Sequence, residues 1–238
     1  MKNHEHDTQR ANSSLYKERD LPAAIITLIF PSVFAMCYFV LFTEHPASPI
    51  FYWISRTFLI AFPLVWTMTA EKKPFPMPRM KCEGLFVGFA AGLCIGTVAF
   101  LLYTFVLKDF LNMNEIKVKA EQLGFAGDNF LVFAVFLTIA NSSVEEYYWR
   151  WFNFSKLRNA FPLSWATILS GLGFALHHII VLIVYFGLGY GLLFGFGVFL
   201  GGIFFIFLYH TYDSIWSPWI CHAGIDAALM VIGYEILL

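Results

Sequence analysis

The sequence predicts an all-α, polytopic transmembrane helix bundle of about seven spans, with six and eight as its bounds. Three observations carry that prediction. Of 238 residues, 59% are hydrophobic and only 13% charged, with a mean hydropathy of +0.67, whereas soluble domains carry roughly 25% charged residues. The apolar residues gather into runs of about 20, the length a helix needs to cross a bilayer. The alternating segments of about ten residues that build membrane β-barrels are missing.

The runs are, in order, Leu21–Thr43, Pro49–Ala70, Leu85–Leu107, Phe130–Phe152, Leu163–Phe186, Leu188–Tyr209 and Ile215–Leu237. Before the first, "MKNHEHDTQRANSSLYKERD" is polar and lacks the short apolar core and cleavage site of a signal peptide. Met1–Asp20 is therefore expected to be a solvated, mobile tail, and residues 21–238 a single transmembrane domain. The 28 phenylalanines and 7 tryptophans suit lipid-facing sides and interfacial belts. Lipid is thus the first partner. A net charge of −1 with no basic face argues against nucleic acid.

Lys and Arg counts set orientation. The tail has Lys2, Arg10, Lys17 and Arg19, the next loop "EHPAS" has none, and the following loop has Lys72, Lys73, Arg79 and Lys81. This alternation predicts a cytoplasmic N-terminus, in the cell membrane if the chain is prokaryotic. Three lysines between Lys108 and Asn129 run against it, and "EIKVKAEQLGF" there reads as an amphipathic surface helix. Arg56, near the start of the second span, is expected to snorkel to the interface.

Gly84, Gly88, Gly92 and Gly96 fall four apart on the third span, and Gly187, Gly191 and Gly195 do so near the sixth. Small residues at this spacing let helices approach closely in a bilayer. The expected use is packing inside one bundle, with a dimer interface as the alternative; the oligomeric state stays open. Cys37, Cys82, Cys94 and Cys221 lie far apart without a CxxC, so buried, inert thiols are expected rather than disulfides or a zinc finger.

The unusual stretch is "IANSSVEEYYWRWFNF", where Glu145, Glu146 and Arg150 fall within six residues of the fourth span. Each such charge costs about 2.5–3.5 kcal/mol at mid-membrane on insertion scales, so each needs a partner, water or a function. Glu146 and Arg150 are four apart with the acid first, the favourable order for a helical ion pair. Glu145 points about 100° away and remains available; a partly desolvated carboxylate suits general-base work. The alternative is that the helix ends here and both acids are simply wet. "GLGFALHHIIVL" puts His177 and His178 inside the fifth span, and "SPWICHAGIDAALM" puts His222 and Asp226 four apart on the seventh. Counting about 1.5 Å per residue from the turn between spans four and five places Glu145 and His178 at similar depth, so a shared pocket is expected. His4, His6, His210 and Asp213 fall in or near loops and read as solvated residues or caps.

These residues resemble a known pattern. "EEYYWR" matches EExxxR, "FALHH" (Phe174–His178) matches FxxxH, and "HAGID" matches HxxxN/D, with "TYDSIWSPWICH" leading into the third. The pattern is similar to that of the CAAX prenyl protease and bacteriocin-processing (Abi) family of intramembrane endopeptidases, over about residues 130–226. The resemblance implies peptide-bond hydrolysis in a membrane cavity, with a protein or peptide as substrate. It implies that Glu145 and His178 activate water, that His222 and Asp226 stabilise the oxyanion, and that Glu146 and Arg150 order the site. Trp151 stands where the family often has glycine after the arginine, and Asp226 where many members have asparagine. Ionised Asp only accepts hydrogen bonds, so Asp226 orients His222, stays protonated or helps hold a metal. The favoured mechanism requires no cofactor, although Glu145, His178, His222 and Asp226 would be an acceptable zinc set by ligand type. Two non-catalytic alternatives remain: a proton- or ion-coupled carrier, and a peptide-binding or bacteriocin-immunity pseudoenzyme. Carriers usually show inverted repeats, which this sequence lacks.

Overall fold

The structure, a computed structural model, describes the backbone of residues 2–43, 45–74, 80–122 and 127–237, and side chains from Glu18 onward except that of Asp128. Every regular element among these residues is helical. In hydrocarbon no water can satisfy a backbone amide, so each apolar run closes its own hydrogen bonds as a helix. The elements are α1 (Lys2–Met36), α2 (Ser48–Thr69), α3 (Cys82–Leu107), a short α4 (Met113–Gln122) and α5 (Phe130–Ala160). The segment Leu163–Tyr212 follows, and α8 (Trp216–Leu237) closes the chain.

Among the described residues, six helices are long and apolar enough to cross a membrane, Leu163–Tyr212 counting as one. That segment is two spans. At Gly187 the backbone leaves the helix, with φ 77° and ψ 172°, a conformation that costs glycine little and a side-chain-bearing residue much. Beyond it the chain folds back. Gly191 lies against Ile183, Gly195 against Ile179, and Gly202 against Gly171 and Phe174. We call the two arms α6 (163–186) and α7 (188–212). The chain is thus an integral, multi-pass membrane protein, with seven spans among the described residues.

α3 and α8 run side by side through the glycine seam. Gly84, Gly88, Gly92 and Gly96 face Tyr212, Ser217, Cys221 and Gly224 in step, and Ser217 Oγ donates to the Gly84 carbonyl at 2.8 Å. The seam is therefore internal to the bundle. A Cβ at Gly92 would sit 2.7 Å from the Cys221 carbonyl oxygen, a backbone atom that cannot swing away. Gly92→Val is expected to destabilise the protein by about 1–3 kcal/mol, the usual cost of overpacking. Thermal unfolding in detergent checks this; an unchanged midpoint would contradict it.

α5 occupies the middle of the bundle. Its consecutive residues Tyr148, Trp149 and Arg150 are all buried, as are Phe152, Asn153 and Phe154. Two wide turns with i→i+5 bonding, at Phe136–Asn141 and Tyr147–Phe154, flank the segment that bears Glu145 and Glu146. Such turns recur at functional sites. α1 lies against α5 along a polar seam. Asn153 Nδ2 donates to Thr27 Oγ1 at 2.9 Å and to the Ala24 carbonyl at 3.2 Å, and the Tyr148 hydroxyl donates to the Thr27 carbonyl at 2.8 Å.

Several expectations change. The segment expected as a solvated tail continues α1 as helix, and the first apolar span begins at Glu18. Asp20 at its end is buried, accepting from Arg19 Nε at 2.7 Å and Asn159 Nδ2 at 2.6 Å. Local donors replace the water expected there. Of the four free cysteines only Cys221 is buried; Cys82 and Cys94 are exposed, because the outward face of a membrane helix is as apolar as its core. The amphipathic surface helix forms as α4, burying Ile116 and Ala120, while its expected continuation Leu123–Phe125 lies outside the described residues. So do Arg79 in the second basic loop and the side chains of His4 and His6. His210 and Asp213 are exposed, and Asp213 ends α7 in the left-handed region.

Candidate active site

Glu145 sits midway along α5, a helix flanked by α6 and α8, and the residue is 5% exposed. Asn141, one turn earlier, donates from Nδ2 to Glu145 Oε1 at 2.9 Å. Oε2 has no hydrogen-bond partner among the described residues. It faces two imidazoles, His178 Nε2 at 3.8 Å and His222 Nε2 at 3.9 Å. His177 Nε2 lies 4.0 Å from Oε1.

Backbone and ring packing fix the imidazoles. His178 Nδ1 donates to the Phe174 carbonyl one turn back at 2.8 Å. A carbonyl oxygen only accepts, so Nδ1 carries the hydrogen and the neutral ring presents a lone pair on Nε2 to the pocket. His177 Nδ1 makes a weaker 3.4 Å contact with the Gly173 carbonyl, and its ring lies parallel to Trp149, with centroids 5.6 Å apart. His222 donates from Nδ1 to Glu146 Oε1 at 2.8 Å and stacks on Phe205 at 4.9 Å. Its Nε2 is then directed at Glu145 Oε2 and at Asp226 Oδ2, the latter 3.6 Å away.

Glu146 and Arg150 form the expected ion pair, Oε1 to Nη1 at 3.1 Å, with both residues essentially inaccessible. The guanidinium also lies over the rings of Phe174 at 4.2 Å and Phe205 at 4.8 Å. These two aromatic faces attract a cation and come from α6 and α7, so the pair ties α5 to the hairpin. Trp149, Phe174, Phe205 and Cys221 belong to one buried apolar cluster, which walls this side of the site.

The residues singled out for the site therefore lie in one side-chain cluster: Glu145, Glu146 and Arg150 from α5, His178 from α6, His222 and Asp226 from α8. The wet-helix-end alternative for the acids is excluded by their burial. Three further residues belong to the cluster. His177 contacts the other carboxylate oxygen. Asn141 binds Glu145. Arg56, expected to snorkel, instead turns its Nη1 to Asn141 Oδ1 within the bundle. Asn141 could have been found as a polar side chain one helical turn before Glu145 in an apolar run.

A metal fits by donor type and spacing. Glu145, His177 and His178 each offer one ligand atom, and these lie within 4.8 Å of one another. This group has His177 where the set chosen by ligand type had His222 and Asp226.

Residues 127–228 match the family model Rce1-like, whose description is type II CAAX prenyl endopeptidase Rce1-like. Among curated proteins, none matches the chain. The matched segment spans α5 to α8 and contains all three motifs and every candidate site residue named from them. Over this segment, less than half of its length, the chain is similar to the CAAX protease family.

Proposed function

We propose that this chain is an intramembrane endopeptidase, hydrolysing a peptide bond of a membrane-associated protein or peptide with water activated by Glu145 and His178. The observation that carries this reading is the unpaired Glu145 Oε2, buried and faced by two imidazole nitrogens at 3.8 and 3.9 Å. Those separations are too long for direct hydrogen bonds and suit one bridging oxygen. A water there donates one hydrogen to Oε2 and the other to His178 Nε2, leaving an oxygen lone pair for the peptide carbonyl carbon.

As that oxygen attacks, Glu145 takes its proton and the carbonyl oxygen becomes an oxyanion. Protonated His222 offers Nε2–H to the oxyanion while Nδ1–H stays on Glu146. Asp226, beside Nε2, orients the ring, which answers its departure from asparagine. Collapse of the tetrahedral intermediate breaks the C–N bond, and Glu145 returns the proton to the leaving amine. Donors preorganised away from water are worth most in such a step. Glu146 and Arg150 act by holding His222 and the helices in register.

A divalent metal such as zinc, held by Glu145, His177 and His178, would polarise a bound oxygen as a Lewis acid; the route above uses the chain's own groups. The positive-inside pattern supports a cytoplasmic N-terminus, in the cell membrane if the host is prokaryotic. Purified protein, stripped by strong chelator and metal-free by elemental analysis, is expected to cleave its substrate at the untreated rate. In heavy-oxygen water it should place one heavy oxygen in the new carboxyl group. Activity lost on stripping and restored by zinc would overturn the metal-free route, and the absence of heavy oxygen would overturn hydrolysis.

A further inference from the structure

A line of donors outside the motifs ends on Glu145. Arg56 lies on α2, which the family match does not reach. Its Nη1 donates to Asn141 Oδ1, and Asn141 Nδ2 donates to Glu145 Oε1 at 2.9 Å. Tyr52, one turn earlier on α2, sets its ring 5.1 Å from the guanidinium carbon, which steadies the plane of the donor. Asn141 itself is 8% exposed.

The direction of this line is forced by chemistry. A guanidinium has only donors and an ionised carboxylate only acceptors. Asn141 must therefore turn Oδ1 to Arg56 and its NH₂ to Glu145; the flipped amide would face each neighbour with its own kind. Without Arg56, Oδ1 loses its donor and only the Glu145 carboxylate holds the amide in that orientation. The two oxygens of Glu145 are thereby made unequal. Oε1 is tied to Asn141, and Oε2 is left toward His178 and His222.

We propose that Arg56 and Asn141 are positioning residues, a guanidinium–amide–carboxylate relay that pins Glu145 Oε1 and presents Oε2 to the reacting water. The role rests on the hydrolase reading, but the relay itself is a property of three side chains and is tested apart from activity. Arg56→Met is expected to lower kcat with KM little changed, by up to about 10²-fold, the loss that an ångström of misplacement causes. Arg56→Lys keeps a donor and should recover part of that loss. In an Asn141→Ala background, Arg56→Met should cost nothing further, because Arg56 acts only through the amide. A guanidinium that merely braces α2 would give independent, additive losses and no kcat-specific effect, and that result would overturn the proposal.

The second measurement needs no substrate. The Asn141 side-chain amide signal, isotope-labelled in the full-length protein in lipid nanodiscs and assigned with Asn141→Ser, should move in both Arg56→Met and Glu145→Ala. A signal unmoved by either variant overturns the relay whether or not the protein cleaves anything. Movement in both, with a wild-type protein that cleaves nothing, supports the relay and removes the hydrolase reading instead.

Discussion

Glu145→Gln is expected to lower cleavage by about 10²–10⁴-fold, the usual worth of a positioned general base, while the protein inserts and folds as wild type. The substitution keeps the shape of the side chain and an oxygen that can accept from Asn141. It removes the charge and the second acceptor, and with them the group proposed to take a proton from water. His178→Ala should cost a comparable factor, since its Nε2 lies 3.8 Å from the same carboxylate oxygen. Residues that act on one water as a unit are not additive, so the double variant should be little worse than either single one. Independent, multiplying losses would place the two groups in different steps. Cleavage by Glu145→Gln at the wild-type rate would end the glutamate mechanism.

The second large effect concerns the buried ion pair. Arg150→Met should destabilise the protein by about 3–5 kcal/mol, because removing one partner leaves the other charge buried and uncompensated. Here the stranded group is Glu146, whose Oε2 has no hydrogen-bond partner among the described residues and whose Oε1 would keep His222. The variant also loses the cation between the Phe174 and Phe205 rings. Adding Glu146→Gln removes the stranded charge and should recover at least half of the loss, since a neutral pair of similar volume is often tolerated. Thermal unfolding in detergent reads both variants. If Arg150→Met melts with the wild type, the pair is not the brace described here. If the double variant is the less stable, charge compensation is not the reason.

The spans were legible because a bilayer imposes length and apolarity on each helix. Even the hairpin was marked, with Gly187 between two runs. The glycine seam of α3 was legible for the same reason: spacing by four puts small residues on one face. The motif residues could be brought together because two spans joined by a short turn must run antiparallel, which matches the depths of Glu145 and His178.

The rest was hidden by physics that spacing does not report. Arg56 reads as a snorkelling residue from its position alone; only the placement of α2 beside α5 supplies Asn141 as a partner. His177 and His178 are adjacent and chemically alike, and both Nε2 atoms end near Glu145, each on a different oxygen. The wide turns on either side of Glu145 leave no mark in composition. Nor does sequence distinguish a cysteine facing lipid from one facing the core, as Cys94 and Cys221 show.

On the proposed function, the Glu145 carboxylate, set among α5, α6 and α8, drives cleavage of peptide bonds in membrane-associated substrates. Comparative peptidomics of host membranes carrying either the wild-type chain or Glu145→Ala, at equal expression, tests it most directly. A defined set of cleavage products is expected with the wild type and not with the variant, whose uncut precursors accumulate. Indistinguishable peptide profiles from the two membranes would contradict it.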